Sequence, residues 1–185
     1  MTGNGNHIEY IEKDHVYLCD GILVPSVSTL VAYATGDIYK DIPESILEKA
    51  RIHGTGVHDA IEDYETTGDV NEDYKKEVEA YIELKKKYLL EVKSMEQIVN
   101  YKHYYCGRYD ILDTDGYLWD IKATSKFHQA NLEWQLGLYY MALGKQCDKG
   151  YCIHIPKRGK AKVYLVTPKT NEECIDLIET FESSK

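Results

Sequence analysis

The chain has 185 residues, which is long enough for one domain with a sizeable hydrophobic core. Its residues are 43% hydrophobic and 29% charged, as in ordinary soluble globular proteins, so the composition excludes a low-complexity chain. The formal net charge of −9 argues against a protein that coats nucleic acid nonspecifically, although it leaves open an enzyme with a local basic surface.

The sequence predicts neither a membrane span nor secretion. No apolar run approaches the roughly 20 residues needed to cross a bilayer. The segment Met1 to Asn6 has neither the basic nor the apolar region of a signal peptide, and we expect residues 1–6 to be disordered. The five cysteines are odd in number and form no Cys-x-x-Cys, which favours free thiols in a reducing cytoplasm.

Turn and cap residues divide the first part of the chain. Asp20-Gly21 is a typical hairpin turn, Pro25 ends the second strand, and Asn71 is a good helix cap. The elements predicted here are a hairpin over 7–24 with strands near 15–18 and 22–24, a helix from Ser26 or Ser28 to about Tyr33, a helix from Glu44 to about Thr66, and a helix from Asn71 to about Leu90.

The second part of the chain alternates strands with helices. The elements predicted here are a strand over Met95–Tyr101, a two-stranded hairpin over Tyr105–Lys122, a helix over His128–Leu143 closed by Gly144, strands over Gly150–Ile155 and Ala161–Val166, and a helix over Asn171–Phe181. This order predicts an α/β (α+β) fold with a mixed central sheet flanked by helices.

The hairpin over 105–122 carries two acids and a lysine that can share one face. Asp120 and Lys122 are two residues apart, so they point to the same side of their strand. Asp110 joins them only if the loop has three residues, 114–116, which pairs Asp110 with Asp120. Gly116 at the last loop position favours that loop.

Two carboxylates on neighbouring strands can hold a hard divalent cation, and a nearby lysine can orient water or offset charge on a phosphate. This combination suits hydrolysis of a phosphodiester. A surface hairpin with solvated acids is the alternative, because Asp-x-Lys is a short and common pattern.

Two predicted helices offer further polar side chains. His58 and Glu62 share one face after Gly54, which allows close approach of a backbone or substrate. Gln135 and Tyr139 share a face of the helix after the hairpin. Taken alone, a helical histidine such as His58 or an amide such as Gln135 is more often a structural residue.

A basic segment follows the next strand. Its cations can contact phosphates or can belong to a solvated turn, and they are Lys157, Arg158, Lys160 and Lys162.

Taken together, the order and spacing of these motifs resemble the RecB-like branch of the PD-(D/E)XK nuclease superfamily, and in particular its small phage and prophage exonuclease-type members. The resemblance covers roughly 16–155 and includes a segment similar to Val24–Leu30 of this chain. It rests on the His58 helix, on Gly107-x-x-Asp110, on Asp120-x-Lys122 and on Gln135-x-x-x-Tyr139.

The resemblance implies a restriction-endonuclease-like αβββαβ core and a single nuclease domain over 1–185, with an N-terminal hairpin and short helix over 7–42, a catalytic core over 43–155 and a C-terminal strand and helix over 156–185.

It also implies roles for individual residues. Metal ligands would be His58, Asp110, Asp120, the Ile121 carbonyl and, more weakly indicated, Glu62 and Glu96. Catalytic and supporting residues would be Lys122, Asp110, Asp120, Gln135 and Tyr139.

The cofactor implied is one or two Mg²⁺ or Mn²⁺ ions. We expect no iron–sulfur cluster, because Cys147, Cys152 and Cys174 are spaced differently from the cluster ligands of some relatives. The function implied is exonuclease action on linear DNA in phage recombination or DNA processing, in the bacterial host cytoplasm, with a single-strand annealing protein and further copies of the chain as candidate partners. A structure- or site-specific endonuclease and a non-cleaving DNA- or protein-binding module remain the alternatives.

Overall fold

The computed structural model describes residues 6–11, 16–36 and 40–185. Of the segment 1–6 that was predicted to be disordered, residues 1–5 lie outside these ranges, as does His15 of the predicted hairpin, whereas Asn6 is described and hydrogen-bonds to Asp20. Fourteen elements follow in chain order over the described residues. The strands are β1 (Ile8–Ile11), β2 (Val16–Cys19), β3 (Ile22–Val24), β4 (Val92–Tyr101), β5 (Tyr105–Asp113), β6 (Leu118–Lys122), β7 (Gly150–His154) and β8 (Lys162–Val166). The helices are α1 (Val27–Thr35), α2 (Glu44–Thr67), a 3₁₀ turn (Glu72–Tyr74), α3 (Lys75–Tyr88), α4 (Gln129–Ala142) and α5 (Asn171–Ser183).

A five-stranded mixed sheet forms the centre of the fold, in the order β4-β5-β6-β7-β8. Neighbouring strands are antiparallel except β6 and β7, which are parallel and joined through α4. Apolar residues of α1, α4 and α5 cover one face of the sheet, and those of α2 and α3 cover the other. The predicted mixed sheet flanked by helices is therefore confirmed. No helix among the described residues is long and apolar enough to cross a membrane.

The turn between β5 and β6 has the predicted three-residue loop. The Asp113 N–H donates to the Tyr117 carbonyl at 2.9 Å, and Gly116 has a φ of 90°, in the left-handed region. Ile111 pairs with Trp119, and the same register places Asp110 opposite Asp120. Both acids therefore share one face, as the sequence predicted, and it is the face that α1 and α4 cover.

The N-terminal region contains more structure than the predicted hairpin. β1 adds a third strand, which gives a small antiparallel sheet of order β1-β2-β3. Ser26, rather than Ser28, caps α1 by accepting a hydrogen bond from the Thr29 N–H at 3.0 Å. The Cys106 N–H donates to the Pro25 carbonyl at 3.1 Å, so the start of α1 is tied to the start of β5.

A helix was predicted from Asn71 to about Leu90, and its predicted start was wrong. Asn71 caps only the 3₁₀ turn, by accepting from the Asp73 N–H at 3.0 Å. Tyr74 then leaves helical geometry, with φ −121° and ψ 20°, and α3 begins at Lys75. Asn71 therefore caps the short 3₁₀ turn that precedes α3, and not α3 itself.

We predict that Gly107→Ala destabilises the protein by about 1–3 kcal/mol, because overpacking a tight contact forces its neighbours apart. A Cβ at Gly107 would lie 2.7 Å from Val27 Cγ2 and 2.8 Å from Tyr139 Cε1. The matched control is Gly54→Ala in α2, where a Cβ meets nothing within 4 Å. That change should stabilise by about 0.5–1 kcal/mol. Urea unfolding midpoints measure both, and equal effects would contradict the close contact.

Candidate active site

Three side chains that can bind a metal meet at the edge of the β5–β6 hairpin. His58 Nδ1 of α2 lies 3.2 Å from Glu96 Oε1 of β4 and 3.6 Å from Asp110 Oδ1 of β5. Ligand atoms of all three lie within 4.8 Å of one another. Two carboxylates and an imidazole form a donor set that fits Mg²⁺ or Mn²⁺. We call this set the His58 group.

The backbone of Ile121 connects two members of the His58 group. Its N–H donates to Asp110 Oδ2, and its carbonyl lies 3.0 Å from His58 Nε2. The two successive peptide groups that meet at the Ile121 Cα therefore contact both the carboxylate and the imidazole ring. The Ile121 carbonyl, predicted as a metal ligand, lies directly against the group.

Asp120 belongs to a second, adjoining cluster. Lys122 Nζ lies 2.9 Å from Asp120 Oδ1 and 2.8 Å from Oδ2, and Gln135 Nε2 donates to Oδ1 at 2.7 Å. Tyr139 hydrogen-bonds to Gln135, so α4 holds this carboxylate from above. Asp120 is only 2% exposed. The structure thus brings Asp120 to Lys122 and Gln135 rather than into the His58 group.

Glu96 is held in an unusual backbone conformation. Its φ is 49°, a left-handed value within a strand, which costs on the order of 1–3 kcal/mol and recurs at functional sites. The register of β4 with β5 sets it opposite Asp110. Its second oxygen, Oε2, lies 2.8 Å from Arg108 Nε. The strained backbone directs the carboxylate to His58, where it is 7% exposed.

Arg108 is a site residue that the sequence analysis missed. It precedes Asp110 by two residues on one strand, so strand alternation alone places both on the same face. Glu62, in contrast, is exposed and lies outside the His58 group. Partial burial and the charge of Glu96 raise the pKa of Glu62.

Burial and charge together set the protonation of the site. Burial opposes the charge on His58, but Asp110 and Glu96 outweigh it and raise the pKa of His58 to about 9. Burial also opposes the charge on Lys122, and Asp120 and Asp110 raise its pKa nonetheless. Burial raises the pKa of Asp120 to about 6 against the opposing effect of Lys122. Without metal, the imidazolium and ammonium cations neutralise the buried carboxylates.

Two clefts open onto these clusters. One has a volume of about 300 Å³ and is lined by residues that include His58, Glu96, Arg108 and Asp110. The other, of about 310 Å³, is lined by residues that include Lys122 and Gln135. Ser28 lines both clefts, so they meet beside the start of α1.

The predicted basic segment lies near the end of β6 at which Lys122 lies. β6 runs parallel to β7 with Lys122 opposite His154, and the loop over 156–161 leaves β7 at that edge. Its exposed cations, together with the first residue of β8, are Lys157, Arg158, Lys160 and Lys162.

In chelator-treated protein, we predict that stability falls as the pH rises from 6.5 through 9, by up to about 3 kcal/mol from His58. The pKa of His58 in the fold, about 9, exceeds its ordinary value of 6.5, so the folded state holds this proton more tightly. The stabilisation is complete below pH 6.5 and is lost through pH 9. Thermal unfolding at both pH values should show a smaller loss for His58→Gln, while His128→Gln behaves like the wild type. An equal loss in all three proteins would contradict the arrangement.

No family model and no curated protein matches the sequence. Solved structures do match. An alkaline exonuclease (LHK-Exo) from Laribacter hongkongensis is 12% identical with a TM-score of 0.53, covering 87% of this chain and 84% of its own. A phage related exonuclease from Haemophilus somnus 129PT is 13% identical with a TM-score of 0.48, covering 85% and 89%. A protein called SSO0001 is 17% identical with a TM-score of 0.47, covering 86% and 73%. The first of these similarities shows that the chain shares the fold of that alkaline exonuclease.

Proposed function

We propose that the protein is a metal-dependent DNA phosphodiesterase, and more specifically a RecB-like exonuclease that acts on linear DNA. The observation that carries this proposal is that the His58 group and the Asp120–Lys122 pair adjoin each other at the β5–β6 hairpin. The set combines acids for a divalent cation with a lysine ammonium that an ion pair holds in place for a phosphate. The fold shared with an alkaline exonuclease supports the same conclusion by analogy.

The residues that would hold the metal are His58, Glu96 and Asp110, with the Ile121 carbonyl beside them. Asp120 belongs to the adjoining cluster, and as a further ligand it would share its carboxylate between the metal and Lys122. One or two Mg²⁺ or Mn²⁺ ions bound there would polarise the scissile phosphate and lower the pKa of a bound water. The carboxylate and carbonyl oxygens, together with the imidazole nitrogen, are donors that fit these hard cations. For His58 to bind a metal, its ring must first release the proton that Asp110 and Glu96 favour.

Lys122 acts on the reacting phosphate and the attacking water. The Lys122 side chain is 30% exposed and lines the cleft, while its ammonium is held by the ion pair with Asp120. A fixed positive charge in a partly dehydrated site offsets the negative charge that develops during in-line attack. Gln135 and Tyr139 position Asp120, and Asp120 in turn positions Lys122.

The substrate path follows the two clefts and the basic loop. Lys126 and His128 line the cleft beside Lys122, and the loop over 156–161 lies at the same edge. These groups can contact DNA phosphates on one side of the scissile bond. By analogy to phage recombination nucleases, we further propose action in DNA processing in the bacterial cytoplasm, with an annealing protein and further copies of this chain as partners.

We predict that Lys122→Ala and Asp120→Asn each reduce DNA cleavage by about 100-fold or more, since each removes charge stabilisation used in the transition state. DNA binding should change only a few-fold. The matched control is Lys86→Ala, an exposed lysine on α3 that should keep full activity. Rates are measured on linear duplex DNA with Mg²⁺, Mn²⁺ or chelator.

A Lys122→Ala protein that cleaves as fast as the wild type would show that the assigned site is wrong. A wild-type protein that binds DNA but shows no turnover with either metal would instead identify a non-cleaving binding module.

We predict that cleavage requires a DNA end. Linear duplex DNA should be degraded, while closed circular DNA of the same sequence should stay intact over the same time. Nicked circles and single strands, run in parallel on gels, report where digestion can begin. Cutting of closed circles would favour a structure- or site-specific endonuclease.

A further inference from the structure

A second set of metal-ligating side chains lies outside the candidate active site. Cys19 ends β2, Asp20 follows it in the β2–β3 turn, and His103 lies in the β4–β5 turn. Their ligand atoms lie within 4.8 Å of one another. None of the three belongs to the His58 group or contacts Lys122.

The carboxylate of this set is already fixed in place. Asp20 has a φ of 51°, a left-handed value that turns its side chain back toward the N-terminal sheet. It accepts hydrogen bonds from Asn6 Nδ2 at 2.6 Å, from the His7 N–H at 2.8 Å and from His103 Nε2 at 2.8 Å. Asp20 is thus a preorganised anion beside an imidazole nitrogen.

The sulfur of the set is directed to the same turn. Cys19 is fully buried, and its Sγ donates to the Lys102 carbonyl at 3.3 Å, one residue before His103. The side chains of Asp20 and His103 are 42% and 49% exposed. The set is therefore open to solvent on the Asp20 and His103 side, from which a water ligand can enter.

We propose that Cys19, Asp20 and His103 bind a Zn²⁺ ion, with a water molecule as the fourth ligand. A thiolate, an imidazole and a carboxylate are the ligand types that zinc takes in tetrahedral sites. The hard-donor His58 group contains no sulfur, so the two sites differ in the metal that they select. This inference does not depend on the proposed nuclease function.

Binding requires local rearrangement, because Asn6 Nδ2 lies 2.6 Å from Asp20 Oδ2 and 3.2 Å from His103 Nε2 and must move away to admit the metal. The Cys19 thiol releases its proton to solvent, and His103 takes the neutral tautomer with its proton on Nδ1, so that Nε2 is free to bind zinc. Tetrahedral zinc separates its nitrogen and oxygen ligands by roughly 3.3 Å. The present 2.8 Å between His103 Nε2 and Asp20 Oδ2 must therefore widen by about half an ångström.

The site would connect two parts of the fold. Cys19 and Asp20 belong to the N-terminal sheet, and His103 belongs to the turn that leads into β5. Arg108 and Asp110 lie on that same strand. Zinc would therefore fix the N-terminal sheet against the strand that carries the first acid of the candidate active site.

The test uses the full chain, stripped with chelator and titrated with Zn²⁺ against a coloured zinc indicator, then with Co²⁺. We expect one tightly bound equivalent, a higher unfolding temperature with Zn²⁺, and a sulfur-to-cobalt charge-transfer band. Cys19→Ser should abolish the band, and His103→Asn should weaken zinc binding by about tenfold or more. His103 is a surface side chain, so His103→Asn remains informative even if Cys19→Ser fails to fold.

Two controls separate this site from others. Cys147→Ser removes a partly exposed thiol elsewhere and should leave the band unchanged. Asp110→Asn alters the His58 group and should also leave it unchanged. The proposal is overturned if no sulfur-to-cobalt band forms, if the band survives Cys19→Ser, or if His103→Asn binds zinc as tightly as the wild type.

Discussion

The pairing of β5 with β6 is the constraint on which the site depends. Ile111 and Ile121 are fully buried beneath α2 and α3, and because side chains alternate along a strand, Asp110 and Asp120 must face α1 and α4. A slip of one residue in either strand would move its acid onto the apolar face packed against α2 and α3, and its isoleucine away from that face. Hydrophobic burial on one face of the hairpin therefore fixes the position of the carboxylates on the other.

That position concentrates negative charge inside the protein, and the surrounding residues compensate for it. His58, Lys122 and Arg108 each lie within 3.6 Å of a carboxylate oxygen of the site. Their charges offset much of the cost of burying the acids. The left-handed backbone at Glu96 adds conformational strain, and the long pairing of β4 with β5 holds the residue in that conformation. A site with buried acids, held cations and local strain is organised for a ligand rather than for stability alone.

The N-terminal sheet contributes to this organisation from outside the core. Pro25 and Ser26 bond to the start of β5, and Gly107 permits Val27 and Tyr139 to pack closely beside Asp110. α1 thereby becomes a wall of both clefts. The Cys19, Asp20 and His103 set lies where this sheet meets the β4–β5 turn, so a metal there would strengthen the same attachment.

The sequence by itself determined the order of the core elements, the three-residue loop and the shared face of Asp110, Asp120 and Lys122. These follow from local periodicity and turn chemistry, which act over a few residues. Only the tertiary structure decided that Glu96 joins His58 while Asp120 pairs with Lys122, that Arg108 holds Glu96, and that Cys19 meets His103. Those contacts join segments up to 84 residues apart, as between Cys19 and His103, and they depend on sheet register, on one unusual φ angle and on packing between layers. No local pattern encodes them.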